Sequence, residues 1–87
     1  MKVRQRVTAD GMTQAEALAA IRAAEDRNFI TVSDAALASG LSAVSIRCQA
    51  REDAKTGSME LGYSATIAGS RVNINRASFL QFIDKGR

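Results

Sequence analysis

The chain has 87 residues, a formal net charge of +3, no histidine and a single cysteine, Cys48. That length fits one domain with a thin core. The composition excludes an internal disulfide and a cysteine-built metal site, and it removes the commonest general base and metal ligand. The apolar runs are too short to cross a bilayer, and the start, MKVRQRV, lacks the apolar stretch of a secretory signal. A cytoplasmic, non-enzymatic protein with no cofactor, no metal and no membrane contact is the expectation.

The charge is unevenly spread. Residues 1–41 hold five basic and five acidic groups, whereas residues 42–87 hold seven and four. A basic half suits an anionic partner, by counterion release if that partner is nucleic acid. An ordinary solvated surface is the competing reading.

Residues 1–12 read as a basic N-terminal arm carrying Lys2, Arg4 and Arg6. Such an arm suits phosphates or a minor groove, against the alternatives of an edge strand or a frayed terminus. Residues 13–87 read as one domain. Thr13-Gln14-Ala15-Glu16 has the spacing of a capping box. It opens an alanine-rich helix expected to run to Asp26 or Arg27, with Asn28 as C-cap. Leu18 and Ile21, with Ala17 and Ala24, give it a narrow apolar stripe opposite Glu16, Arg22 and Glu25.

Phe29–Val32 reads as a short β-prone stretch leading into TVSDAALASGLSAVSIRCQAR, two short helices around a tight turn. Ser33 is the expected N-cap of the first, with Val32 and Leu37 as a hydrophobic staple. Gly40 permits the left-handed conformation that ends it. The pattern then repeats with Leu41, Ser42 and Ile46. Ala36, Gly40 and Ile46 fall where a helix-turn-helix places a small residue, a turn glycine and an inward aliphatic. The second helix is expected to reach about Asp53, before a loop at Lys55–Ser58.

From Leu61 the period becomes two. Ser64–Ala68 and Arg71–Asn75 flank Gly69-Ser70, which suits the tight primed turn of a β-hairpin. Ile67, Val72 and Ile74 share one face, with Thr66, Arg71, Asn73 and Asn75 outward. A closing helix follows from Arg76 or Ala77 to Asp84, with Phe79, Leu80, Phe82 and Ile83 as its apolar face and Lys85 and Arg87 at its C-terminal end. Leu41, Ile46, Tyr63 and Ile74 are further core candidates. Cys48 reads as the filler of a half-buried site rather than a reactive thiol.

Helix, short strand, helix-turn-helix, loop, hairpin and helix, in that order, form the plan of an α+β winged helix-turn-helix. Residues 30–83 resemble the excisionase-type small winged-helix proteins, which are related to the DNA-binding domain of MerR-type regulators. The resemblance is carried by ITVSDAALASGLS, SIRCQARED and, above all, IAGSRVNINRASFLQFID. Excisionases of conjugative transposons are the most similar members.

The resemblance implies that the second helix of the pair enters the major groove and that the hairpin wing lies beside the minor groove. Carried over by position, the groove-facing residues are Ser42, Ala43, Val44, Arg47, Cys48 and Arg51. Ser42 sits at a helix N-terminus, which favours phosphate. Arg47 and Arg51 are four apart and suit guanine or bridging phosphates. Ala43 and Val44 suit a thymine methyl. Ser70 and Arg71 at the wing tip would meet the backbone or minor groove, and Arg76 a phosphate. Three features depart from the family, one being that no tail follows the closing helix, where some excisionases carry one that contacts integrase. Ala43 and Val44 stand where more polar residues are common, and helix 13–27 lies outside the resemblance.

By that resemblance the protein is a recombination directionality factor. It would bind and bend duplex DNA, self-associate cooperatively along it, and promote excision of a mobile element by an integrase. The same scaffold serves small transcriptional regulators of mobile elements. A third reading, from the modest charge and the apolar Ala43-Val44, is a protein-interaction module pairing through helix 13–27. For Arg47 and Arg51 a solvated helix face remains open, with Arg51 pairing to Asp53.

Overall fold

Capping chemistry sets most element boundaries in the computed structural model of the chain, which describes residues 6–85. Helix α1 spans Gln14–Ala23. Thr13 Oγ1 accepts from the Glu16 N–H at 3.1 Å, and Glu16 Oε1 accepts from the Thr13 N–H at 2.9 Å. The expected capping box is therefore present. The helix stops at Ala23 rather than at Asp26 or Arg27, and its C-cap is Ala24, not Asn28. A distant residue supplies the reason. The Arg76 guanidinium donates to the carbonyls of Ile21 and Arg22 at 2.8 and 2.7 Å. These carbonyls belong to the last turn, whose acceptors need partners from outside the helix.

Strand β1 is Phe29–Thr31 and helix α2 is Val32–Ser39. The N-cap of α2 is Thr31, not Ser33. Thr31 forms a second capping box, with Asp34 in the role of Glu16: its Oγ1 accepts from the Asp34 N–H at 3.0 Å, and Asp34 Oδ2 accepts from the Thr31 N–H at 3.1 Å. The staple positions move with the cap, from Val32 and Leu37 to Ile30 and Ala35, both fully buried. Gly40 ends α2 with φ 80°, as its placement predicts.

Helix α3 is Ala43–Thr56, capped by Ser42, whose Oγ accepts from the Ser45 N–H at 3.0 Å. It runs three residues past Asp53, because the left-handed residue available to end it is Gly57, at φ 74°. Asp53 binds the turn that follows. Its carboxylate accepts from Gln49 Nε2, Ser58 Oγ and the backbone N–H groups of Glu60 and Leu61. Desolvation pushes its pKa up, but these hydrogen bonds outweigh that and hold it below the usual carboxylate value.

Strands β2 (Ala65–Ala68) and β3 (Arg71–Asn75) form the hairpin, and helix α4 is Arg76–Asp84. Gly69 takes φ 63° while Ser70 stays at negative φ, the sign pattern of a type II′ turn. Asn75 closes β3 and caps α4, its Oδ1 accepting from the Ser78 N–H at 2.8 Å. The three strands form one antiparallel sheet in the order β1-β3-β2. Its register places Ile30 and Ala65 on either side of Ile74, and Ile67 beside Val72. One face therefore carries the aliphatic side chains, as the period of two predicts.

The core joins that face to Ala17 and Ile21 of α1, Ala35 and Ala38 of α2, Ile46 and Ala50 of α3, and Phe79 of α4. Tyr63 packs edge-to-face against Phe79 and Phe82, with ring centroids 4.9 and 5.2 Å away. Leu41, expected in the core, is exposed. The turn holding it needs Gly40 and Ser42 in fixed conformations and leaves Leu41 on the outside.

Residues 6–8 of the expected arm are packed on the fold; Lys2 and Arg4 lie outside the described residues, as does Arg87. The anchor is Asp34, a fully buried carboxylate. It accepts from the Val7 N–H, the Thr8 N–H and the Thr8 hydroxyl at 3.2, 3.2 and 2.7 Å. Across the molecule, Arg22 of α1 pairs with Asp84 of α4 at 2.6 Å. The architecture is α+β, with four helices and a small antiparallel sheet, and no helix among the described residues is long and apolar enough to cross a membrane.

Candidate nucleic-acid interface

Helix α3 has two faces. Ile46 and Ala50 turn into the core, while Val44, Arg47, Cys48 and Lys55 are exposed and Arg51 is half-buried. At about 100° per residue, positions 44, 47, 48, 51 and 55 fall in one stripe along the helix. The β2–β3 turn stands beside this stripe. Arg51 Nη2 donates to the Ser70 carbonyl at 2.9 Å, tying α3 to the hairpin tip. Between them runs a cleft of about 280 Å³, walled by Arg47 on one side, Ser70, Arg71 and Asn73 on another, and Thr31 to Ser33 at its base.

The structure thus brings Val44, Arg47, Arg51, Ser70 and Arg71 to one edge of the molecule. Lys55 joins them because α3 is longer than its expected end. Ser42 sits at the N-terminal tip of α3. Its hydroxyl donates to Ser45 Oγ at 3.0 Å besides accepting from the Ser45 N–H. Ala43 is half-buried and packs against the core. Cys48 is exposed, not the half-buried filler expected of it. Its position two residues after Ile46 carries it to the opposite side from the core anchor.

Arg76 is apart from this group. It lies beyond the far end of β3 from Arg71, and its guanidinium is engaged by the carbonyls that end α1. Its role in this fold is to cap a helix, which a reading by position assigns to a phosphate contact.

Sequence reasoning missed Leu41, Lys55 and the cleft residues Thr31, Ser33 and Asn73. Lys55 follows Arg51 by four residues, a helical spacing that a later helix end would have exposed. Asn73 pairs with Thr31 across β1 and β3, a juxtaposition that only the sheet register reveals.

The electrostatics of the edge are one-sided. Among the described residues the ion pairs engage Arg6 and Arg22, and none engages Arg47, Arg51 or Arg71. Their charge is therefore unneutralised by an ion-paired carboxylate, and Arg47 and Arg71 face each other across the cleft. No group of three or more Cys, Asp or Glu among the described residues is placed to hold a metal ion. Compared with known proteins, the chain matches no family model, no curated protein and no solved structure.

Proposed function

We propose that the chain is a winged-helix DNA-binding protein in which α3 is the recognition helix and the β2–β3 hairpin the wing. One observation carries the reading. The Arg51–Ser70 hydrogen bond sets an arginine-bearing helix face and an arginine-bearing hairpin tip at one edge, with Arg47, Arg51 and Arg71 outside every ion pair of the described residues. A helix of the width of α3 fits the major groove, and an adjacent hairpin then reaches the flanking backbone or minor groove.

Within DNA binding, the resemblance of residues 30–83 to excisionases favours a recombination directionality factor of a mobile element, acting in the cytoplasm without catalysis. A single module of this size covers little DNA, so cooperative side-by-side binding supplies the specificity, with an integrase as the protein partner. Regulation of the element's genes is the alternative on the same scaffold. The exposure of Leu41 and Val44 favours a second class of reading, a module that binds protein through this edge.

Fluorescence anisotropy with a duplex at several salt concentrations tests DNA binding. Affinity falls steeply with salt, and Arg47→Ala, Arg51→Ala and Arg71→Ala each lower the slope by about 1. Absence of binding at low salt sinks the reading in favour of the protein-interaction module.

A further inference from the structure

We infer that the tip of α3 reads thymine, through an apolar contact of Leu41 and Val44 with 5-methyl groups in the major groove. The inference rests on the DNA-binding reading and adds to it the chemistry of the bases recognised. Leu41 is 51% and Val44 65% exposed. The other exposed large hydrophobic among the described residues, Met59, lies beyond the opposite end of α3. The aliphatic pair is therefore concentrated at one tip.

The polar groups of that tip are turned to each other. Ser42 accepts from the Ser45 N–H and donates to the Ser45 hydroxyl, both at 3.0 Å. Ala43 packs inward. The large apolar groups exposed there are the Leu41 and Val44 side chains, beside the exposed Ser42 and Ser45, with Arg47 one turn beyond Val44 and Arg51 two turns beyond. The occupant follows from that framing. Arg47 and Arg51, both outside every ion pair of the described residues, follow the apolar pair along the helix, so its complement is polyanionic yet offers isolated apolar groups. On the edges of base pairs in the major groove, the thymine methyl is that group.

Duplexes of simple repeating sequence suffice for the test, because the contact is to a methyl group and not to one particular site. Anisotropy titrations would compare alternating dA-dT duplexes with the same duplexes carrying deoxyuridine, and alternating dG-dC duplexes with and without 5-methylcytosine. Each pair differs by the methyl alone. Burying one methyl is worth about fourfold in affinity, and burying two roughly fifteenfold. The wild-type chain should bind the methylated member of each pair roughly fifteenfold tighter. The double variant Leu41→Ser, Val44→Ser should reduce that preference to no more than about twofold, with the salt slope unchanged because neither residue is charged. Both side chains are exposed, so the variant retains the fold, which thermal melting checks. Equal affinity for both members, or a preference that survives in the double variant, overturns the inference while leaving DNA binding intact. Failure to bind any of the four duplexes overturns the DNA-binding reading and this inference with it.

Discussion

Arg51 on α3 donates to the carbonyl oxygen of Ser70 at the hairpin tip, 19 residues later in the chain and 2.9 Å away. The bond adds a contact at the rim between a helix and a hairpin that already share the core through Ile46, Ala50, Val72 and Ile74. It also leaves the rest of the Arg51 guanidinium, with its further donors, facing the same side as Arg47.

Arg51→Ala should cost less than about 1 kcal/mol of stability, because the contact is exposed and its partner neutral. It should nevertheless speed hydrogen exchange of the amides at residues 69–71. Arg47→Ala removes an equal charge without touching the hairpin, so it should leave that exchange unchanged. Identical exchange in both variants would show that the hairpin holds its place without Arg51.

Arg76 separates structure from binding. Its Nε and Nη2 cap the Ile21 and Arg22 carbonyls. Arg76→Ala should lower stability by about 1–3 kcal/mol, the range for charge-assisted hydrogen bonds, and fray the end of α1. On the proposed DNA-binding reading, the variant's affinity for a duplex, measured under conditions where it stays folded, should keep the wild-type salt slope. A slope reduced by about 1 would instead return Arg76 to the phosphate contact that the resemblance implies.

Asp34 is the largest stake in a single polar side chain. Asp34→Ala orphans the N–H groups of Val7, Thr8 and Thr31 together with the Thr8 hydroxyl. At about 1–3 kcal/mol for each buried group left unpaired, the loss should be at least about 3 kcal/mol. That is a large fraction of the roughly 5–15 kcal/mol typical of a small domain. Asp34→Asn keeps one acceptor oxygen but turns a donor nitrogen toward N–H groups, so it should recover only part. Urea midpoints of the two variants check the order. A wild-type midpoint for Asp34→Ala would mean that residues 6–8 are held by the packing of Val7 alone.

These residues also mark how far the sequence could be read. Thr13 with Glu16, Gly40, Ser42 and the Gly69-Ser70 turn were legible because each signal is complete within four residues. Thr31 with Asp34 has the same spacing, yet Ser33 competes as a cap because serine there satisfies the same local preference. The contest is decided by Asp34, whose carboxylate gathers partners from residues 7 and 8 and so holds its place at the third position of the helix. The end of α1 is illegible locally, since Arg76 stands more than 50 residues away. Leu41 shows the limit of hydrophobicity as a guide. Its side chain reads as core, and only the packing of α2 on α3 reveals that the turn faces outward. Of the candidate site, the shared face of Arg47 and Arg51 was readable from helical period, whereas Val44 came from the family resemblance. The cleft needed the sheet register and the Arg51–Ser70 contact.

Tyr63 gives a prediction in pH. Its ring is 1% exposed and its hydroxyl is buried without a hydrogen-bond partner. Burial pushes its pKa from 10.0 up to about 12. In the unfolded chain the phenol ionises near pH 10.0, whereas in the folded chain it holds its proton to about pH 12. Between those values the unfolded state binds fewer protons, so stability falls as pH rises. Tyr63→Phe lacks this linkage. It keeps the edge-to-face contacts with Phe79 and Phe82 and sheds an unpaired hydroxyl, so near neutral pH it should match or exceed the wild type by up to about 1 kcal/mol. Above pH 10 its advantage should widen steadily. The chain has one tyrosine and no tryptophan, so native-state phenolate absorbance reports Tyr63 alone. Phenolate appearing at pH 10 in the folded protein, or parallel stability curves for the two proteins above that pH, would place the Tyr63 hydroxyl in contact with water.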